Sequence, residues 1–515
     1  MDLIVFEDEH LLVINKPAGW NTHSPAPFAG EGLYEWLKNR RHRWSGLAII
    51  HRLDKETSGL LVFGKTPAAN RSLTQQFGRR QVAKKYIFLT DRKPASRKWR
   101  ARSALVRAGD KYASLPPRAG APSAETLFEA TGAHVDDCTV VEAVPLTGKT
   151  HQIRVHAAAS GCPVLGDVLY GGAPAPRLCL HAAQLQFEHP ATSQPVSFSV
   201  PPDFKADARL ALRTAIIDPS LTDAFRLIHG AADGWPGLYV DRLGEDLLAR
   251  TDAALTEPQR RRVEQLGART VYHQRLQRGE RPPPQWLSGA PATKEIVVRE
   301  NGLRFALRLD EGSSTGLFLD QRDNRRRLLE RYVGPGFEIA PAPEVLNAFA
   351  YTCGFSVCAA AGGGRVTSVD LSKNYLAWGR RNFLLNGLDP SGHQFIFGDA
   401  FDWFRRLAKK KRLFDVIILD PPTFSRSRES GVFRAETGYG ALTAAALPLL
   451  KAGGILLAST NAAGLAPEDF VEAVTGAISR SGRSVTCRQY APQPPDFPIE
   501  RDEPAHLKSV WLRVD

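Results

Sequence analysis

The sequence predicts two chemically different domains in one chain. The first is an α+β domain built on a mixed sheet over residues 1–205. The second is an α/β domain with a doubly wound sheet over residues 336–515, preceded by a small α+β region at 206–335. Three observations carry this. The first 205 residues alternate short apolar runs with turn residues. From Glu344 onward strands and helices alternate as β-α-β-α-β, the pattern of a parallel, doubly wound sheet. The length of 515 residues allows two to four domains and is far above the size at which a core is hard to bury.

In the first domain VINKPAGW, GLLVFGK and KKYIFLT read as strands. The opening residues form two short strands around a turn. Helical stretches fall at Gly32 to Asn39 and Ala68 to Gly78. The domain ends in a proline-bearing strand pair, LQFEHPATSQPVSFSVPPDF. In the middle region GLYVDRLGEDLLAR and EIVVRENGLRFALRL are strand-like, with a polar helix-forming stretch between them, and RGERPPPQ reads as a loop. In the last domain EVLNAFA, RVTSVD, HQFIFGDA, FDVIILDPP and GGILLAST are the strands.

Composition narrows the class. The apolar fraction of 43% is that of an ordinary globular protein. No run approaches the roughly 18 apolar residues that cross a membrane, and the first residues lack a signal-peptide plan. The six cysteines contain no CxxC pair, so neither a metal site nor a disulfide framework is expected, and a cytoplasmic location is. The net charge of +13 favours a polyanionic partner. Basic clusters fall at Arg40 to Arg43, Arg79 to Lys85, Arg92 to Arg107, Arg322 to Arg327 and Lys409 to Arg412. Trp44, Tyr86 and Trp99 sit among them. RNA is the expected partner; no membrane or DNA is.

HRLDKETSGLLVF, at 51–63, places Asp54 beside Arg52 and before a small polar-glycine turn. A carboxylate held rigidly at a strand edge suits a nucleophile or base that meets its substrate in one geometry. An adjacent cation keeps it ionised. The string HRLDKETSGLL resembles the signature of RluA-type pseudouridine synthases. LLVINKPAGWNTH, AKKYIFLT, GKTHQIRVHAAASGCPVLGDVLYG and LCLHAAQLQFEHP resemble further elements of that family in the same order. The resemblance covers nearly all of residues 1–205. It implies that Asp54 is the nucleophile that lets a uracil detach, rotate and rejoin through carbon 5. It implies that Tyr86 stacks on the base and assists removal of the carbon 5 proton, and that Arg154 pairs with Asp54. The uridine must flip out of its stack, and Arg52 fills the vacated space or holds a phosphate. No cofactor is implied here.

In the last domain Asp370, Asp399 and Asp420 end three successive strands and point toward one crevice. The glycines of NAFAYTCGFSVCAAAGGG do not form G-x-G-x-x-G, which argues against a dinucleotide and for a nucleoside cofactor without phosphates. GLFLDQRDNRRRLL, NAFAYTCGFSV, VDLSKNYLAWGRRNFLLNGL and LDPPTFS resemble class I methyltransferases of large-subunit ribosomal RNA, whose catalytic fold is Rossmann-like. FRLIHGAADGWPGLYVDRLGEDLL resembles their small preceding domain, so this second resemblance spans roughly 221–515. It implies S-adenosylmethionine as cofactor, with Asp370 on the ribose and Asp399 on the adenine. Asn347 to Gly354, including Phe349 and Tyr351, line the methionine end, and Asp320 and Arg322 close over the cofactor. Relatives that make 5-methylcytosine carry a cysteine after the fifth strand, where this chain has Thr460 and Asn461. DPPTFS with a serine-x-asparagine is closer to relatives that make 7-methylguanine. Asp420, Phe424 and Asn461 would then hold the target base.

The expected whole is a bifunctional enzyme that isomerises a uridine and methylates a base, guanine nitrogen 7 ahead of cytosine carbon 5, in ribosomal RNA. Two alternatives stay open. Either the synthase alone is active and the C-terminal half is an RNA-binding platform, or the chain is a ribosome assembly factor without chemistry.

Overall fold

The computed structural model describes residues 3–117, 123–276, 282–291, 295–309, 315–427 and 431–515. The chain divides into two compact units. Unit 1 comprises residues 1–24, 32–38 and 43–216; unit 2 comprises 25–31, 39–42 and 217–515.

Unit 1 is a large mixed sheet with helices on it. The hairpin Ile4–Glu7 and Leu11–Lys16 leads into Ser58–Gly64, then Leu180–Glu188, Ala83–Thr90, Cys138–Pro145, Ala124–Val135, Lys98–Ala108 and Lys111–Leu115. Pairing is antiparallel except between Ser58–Gly64 and Leu180–Glu188. That parallel contact forces a glycine. Gly59 has φ +114°, and a Cβ there would lie 2.4 Å from the Ala182 carbonyl oxygen. Only a residue without a side chain lets the two backbones approach so closely. The helices Leu33–Arg40 and Pro67–Gly78 form where the sequence placed them. Pro67–Gly78 starts on Thr66, whose hydroxyl accepts from the Ala69 amide, with proline at the first position. The strand pair Leu180–Glu188 and Pro195–Ser199 closes the domain as expected.

Unit 2 holds a five-stranded sheet from Ala224–His229 to Gln285–Gly289 and a hairpin of Glu295–Glu300 with Leu303–Arg308. The polar helix between the middle strands is Glu257–Gln265, opened by a capping box on Thr256. Part of the RGERPPPQ loop lies outside the described residues. A seven-stranded sheet follows, in the order Gln394–Phe397, Arg365–Asp370, Glu344–Ala348, Phe414–Leu419, Leu450–Thr460, Lys508–Val514 and Val485–Tyr490. All five strands read from the sequence are parallel neighbours. Lys508–Val514 inserts antiparallel to Leu450–Thr460 and carries Val485–Tyr490 at the edge. The sheet is therefore not wholly parallel. These two strands were not read from the sequence, because VTCRQY at Val485–Tyr490 is not an apolar run and Lys508–Val514 follows it with no described helix between them. No described helix is long and apolar enough to cross a membrane.

The basic run at Arg322 to Arg327 corrects the reading of charge. It lies in the helix Arg322–Glu330, and Arg322, Arg325, Arg326 and Arg327 are all buried. Arg322 donates two hydrogen bonds to Asp496, at 2.8 and 2.6 Å, and Arg325 donates two to Glu300, at 2.6 and 2.7 Å. Arg326 donates to the Asn39 and Arg40 carbonyls, and Arg327 to Glu31. A buried cation survives only with such partners. This run is internal architecture and contributes nothing to a nucleic-acid surface.

Candidate active sites

In unit 1 a cavity of about 1380 Å³ opens beside the central strand Ala83–Thr90. Asp54, Tyr86, Arg154 and Arg52 all line it. Asp54 sits in the turn before Ser58–Gly64, its carbonyl accepting the Thr57 amide at 3.1 Å. The turn is tied down from below by Lys16, a wholly buried ammonium. Lys16 Nζ donates to the carbonyls of Pro17, Trp20 and Lys55 at 2.9, 2.8 and 3.0 Å. Burial pulls the Lys16 pKa down to about 7, against the charges of Glu56 and Asp54.

Arg154 lies on the helix Gln152–Ala159 and is buried. Its Nε and Nη2 donate to the Asp167 carboxylate at 2.7 and 2.8 Å. Its Nη1 stands 3.6 Å from Asp54 Oδ2. Burial opposes the Arg154 charge, but the Asp167 hydrogen bonds and the charges of Asp167 and Asp54 raise its pKa above the ordinary value. The guanidinium is thus clamped on one carboxylate and aimed at another. His151, just before the helix and in the left-handed region at φ 54°, places Nε2 3.9 Å from the same oxygen. Its Nδ1 meets the Tyr170 hydroxyl at 2.8 Å, and that hydroxyl accepts the Tyr112 amide. Tyr170 therefore has its own hydrogen available for Nδ1, which leaves the His151 proton on Nε2, facing Asp54.

Tyr86, on Ala83–Thr90, packs at the rim of a core cluster with Phe88 and Phe128. Burial, and then the charge of Asp54, hold its hydroxyl proton well above the usual phenol range. Arg52 is exposed and lies 3.0 Å from His23 Nε2. Lys16, His151, Asp167 and Tyr170 are site residues that the sequence reading missed. The signal for three of them was present, since His151, Asp167 and Tyr170 lie in the same GKTHQIRVHAAASGCPVLGDVLYG string as Arg154.

In unit 2 Asp370 and Asp399 stand at the ends of adjacent parallel strands, and Asp420 ends Phe414–Leu419, which lies beyond Glu344–Ala348 in the same sheet. Asp370 Oδ2 accepts the Tyr351 amide and Oδ1 the Ser372 amide, both at 2.8 Å. Burial raises its pKa, and those two hydrogen bonds oppose the rise. Asp399 caps the helix Ala400–Lys409, accepting the Asp402 amide at 3.1 Å. Between Glu344–Ala348 and the helix Gly354–Ala361, Phe349, Tyr351 and Cys353 all have left-handed φ, 61°, 49° and 63°. Three such residues without glycine mark a loop held in strain, which clusters at functional sites. Asn347 anchors it below through Ser356, its Nδ2 donating to the hydroxyl at 2.8 Å.

Asp420 Oδ2 accepts from Gln321 Nε2 at 3.1 Å. Burial, and then the nearby charge of Asp320, raise the Asp420 pKa to about 7. Asp320 itself pairs with His506 at 3.1 Å, and its pKa falls although burial alone would raise it. Arg322 departs from expectation: both Nη groups are spent on Asp496, so its guanidinium serves a buried ion pair. Phe424 is 52% exposed and Asn461 is exposed just beyond Leu450–Thr460. Phe397, half-exposed beside Asp370 in the strand register, is an aromatic that the sequence reading passed over. Cys353 and Cys358 are fully buried, and burial pushes both thiols up. Among the described residues no cluster of His, Cys, Asp or Glu is arranged to hold a metal ion.

The residues at these strand ends fit a nucleoside cofactor. Each Asp370 oxygen accepts one amide and keeps a lone pair for a ribose hydroxyl, and the strained loop beside it exposes backbone at close range.

The S-adenosylmethionine-dependent methyltransferase family matches residues 225–513, and the RNA pseudouridylate synthase family matches residues 10–159. A ribosomal RNA large subunit methyltransferase of Deinococcus radiodurans is 36% identical over 330 residues, covering 60% of this chain and 78% of the relative. Ribosomal RNA large subunit methyltransferase I of Aeromonas salmonicida is 34% identical over 304 residues, covering 56% and 74%. A crystallised methyltransferase complexed with SAH superposes with a TM-score of 0.53 at 29% identity, covering 59% of this chain and 79% of that one. S-adenosylmethionine is the cofactor of the C-terminal domain. The chain is an enzyme of two activities: it belongs to the S-adenosylmethionine-dependent methyltransferase family and carries an RNA pseudouridine synthase domain at its N-terminal end.

Proposed function

We propose that both activities act on large-subunit ribosomal RNA, residues 1–205 isomerising a uridine and residues 336–515 methylating guanine nitrogen 7. Residues 206–335 form the small domain before the methyltransferase. The observation that carries the first half is the Asp54 carboxylate in its cavity, faced by Arg154 and by His151. The Arg154 guanidinium and the His151 Nε2–H both face the Asp54 oxygen, an arrangement that suits a carboxylate acting as nucleophile. The Asp54 carboxylate attacks ribose carbon 1′ and the bond from that carbon to nitrogen 1 breaks. The freed uracil turns, carbon 5 displaces Asp54 from carbon 1′, and the carboxylate is released. The carbon 5 proton then passes to water in the cavity with Tyr86 assisting, and nitrogen 1 takes one up, so the protons balance. Tyr86 supplies a stacking face beside the base. Arg52, exposed at the cavity mouth, contacts the phosphates of the flipped nucleotide.

In the second half the cofactor supplies a methyl group activated by its sulfonium. Asp370 holds the ribose and Asp399 the adenine edge. Asn347, Phe349, Tyr351 and Gly354 border the methionine end. Asp420 and Asp320 place negative charge near the sulfonium, while Phe424 and Asn461 position the base. Guanine nitrogen 7 has a free lone pair and needs only placement within reach of the methyl group. Cytosine carbon 5 needs a thiolate to add to the ring first. Cys353 and Cys358 are buried and protonated, which supports the guanine reading.

Mass spectrometry of ribosomal RNA tests both halves. Asp54→Ala should remove one pseudouridine and leave methylation intact. Deletion of the gene should remove a 7-methylguanine as well; selective loss of 5-methylcytosine would refute the guanine assignment.

A further inference from the structure

A second cavity, of about 590 Å³, lies in unit 2 and belongs to neither site as assigned above. Its walls are Phe401 and Arg405 on the helix Ala400–Lys409, Val432 to Arg434 on a surface hairpin, and Thr437 on the next helix. The hairpin pairs Phe424–Ser427 with Gly431–Arg434 and begins four residues after Asp420. Its register sets Phe424 opposite Arg434 and Arg426 opposite Val432. Those four side chains share one face, by the alternation of a strand, and all four are exposed.

The opposite face anchors the hairpin. Phe433 is 9% exposed and stacks among Phe401 and Phe349, with centroids 6.2 and 6.4 Å away. The outer face is left with no apolar cover. Phe424 and Val432 are 52% and 54% exposed, and the Arg434 guanidinium lies 5.4 Å over the Phe424 ring. Among the described hairpin residues none is acidic. Arg405 flanks the groove, and its helix runs on into the Lys409 to Arg412 cluster.

We propose that this hairpin face and groove bind the unpaired nucleotides that flank the target base of the methyltransferase. The Phe424 ring that positions the target base carries the Arg434 guanidinium, so the stack continues from the target base toward the flanking nucleotides, and Arg405 and Arg434 are placed to meet phosphates. The faces of a base are open only where the strand is unpaired, so the groove selects single-stranded RNA over a duplex. A cavity of this volume has room for a nucleotide and none for a helix. The inference deepens the methyltransferase reading and rests on it: the substrate of that half is a loop or a strand opened before methylation.

The test uses the full chain and a mixed-sequence 12-mer RNA carrying 4-thiouridine. Irradiation should cross-link it within residues 401–445, as mapped by mass spectrometry of the peptides. Arg405→Ala with Arg434→Ala should remove those cross-links. It should weaken binding of the 12-mer about fivefold or more by anisotropy and reduce the salt slope by roughly 1.4, the contribution of two phosphate contacts on a single strand. S-adenosylmethionine binding by calorimetry should not change. Cross-links confined to other segments, or equal weakening for the same sequence as a duplex, would overturn the proposal. So would competition by polyglutamate as effective as by RNA, which would make the groove a protein-docking site. The two readings fail separately. If the wild-type chain transfers no methyl group to ribosomal RNA, the activity is wrong and the cross-links still judge the groove. If methyl transfer occurs and the cross-links lie elsewhere, the groove alone is wrong.

Discussion

Replacing Asp167 with asparagine isolates the clamp that aims Arg154 at Asp54. The Asp167 side chain is 1% exposed and accepts two hydrogen bonds from Arg154. Asparagine keeps the shape and one acceptor oxygen, but it turns an amide N–H toward the guanidinium and removes the charge. Hydrogen bonds to a charged group contribute about 1.5–3 kcal/mol each. Breaking a buried ion pair from one side costs about 3–5 kcal/mol. Asp54, 3.6 Å from Nη1, still compensates part of the orphaned charge, so the low end applies, about 3 kcal/mol. For a domain of roughly 200 residues that lowers the first melting transition by about 6–12 °C. The freed guanidinium is then pulled toward Asp54, and the nucleophile is displaced from its geometry. A misplacement on the order of 1 Å costs up to about a hundredfold in rate. Differential scanning fluorimetry and single-turnover pseudouridine formation measure the two effects. A variant that melts within about one degree of the wild type and reacts within twofold would refute the idea that Asp167 holds Arg154 for Asp54.

Lys16→Met tests the buried ammonium under the Asp54 turn. The folded pKa of about 7 lies below the unfolded value of roughly 10.4, so between them the unfolded chain binds more protons and stability rises with pH. The stability of the wild type relative to the variant, from urea unfolding of the first transition, should therefore climb from pH 7 to 9.5 by up to about 1.4 kcal/mol per unit; a flat difference would count against it. Asp420 holds its proton to about pH 7, so affinity for the cationic cofactor should rise between pH 6 and 8 in calorimetry. Asp420→Asn should flatten that rise, and an unchanged profile in the variant would show that Asp420 does not govern it.

The sequence made legible whatever lay in one contiguous string. Asp54 with its turn, Tyr86 and Arg154 could each be placed because the strings that carry them are short and specific, and the cavity brings them together. The five parallel strands were legible because each is a short apolar run ended by a turn or an acid. What was not legible depends on partners far away in the chain. Lys16 reads as a polar end to LLVINK until Lys55 and Trp20 are seen to cap it. The arginines at 322 to 327 read as a basic surface, because nothing in that string reveals Glu31, Glu300 and Asp496, their buried partners. Charge counts of the chain therefore overstate the surface available to RNA.

The two candidate carboxylate sites show how one chain runs opposite electrostatics on two different sheets. Both place an acid at the end of a strand, where backbone rather than side-chain freedom fixes its position. At Asp54 the neighbours are Arg154 and His151, and the second carboxylate, Asp167, serves the arginine rather than crowding the nucleophile. At Asp420 the neighbour is another acid, Asp320, which pairs with His506, and burial leaves Asp420 the costlier of the two to ionise. Like charges held in one low-dielectric site are relieved by an incoming cation. A site of that kind is poised for a positively charged ligand and is poorly suited to act as a nucleophile. The same reasoning accounts for the buried, protonated Cys353 and Cys358: neither thiol offers the C-terminal site a ready nucleophile. That arrangement suffices for a target atom that already carries its lone pair.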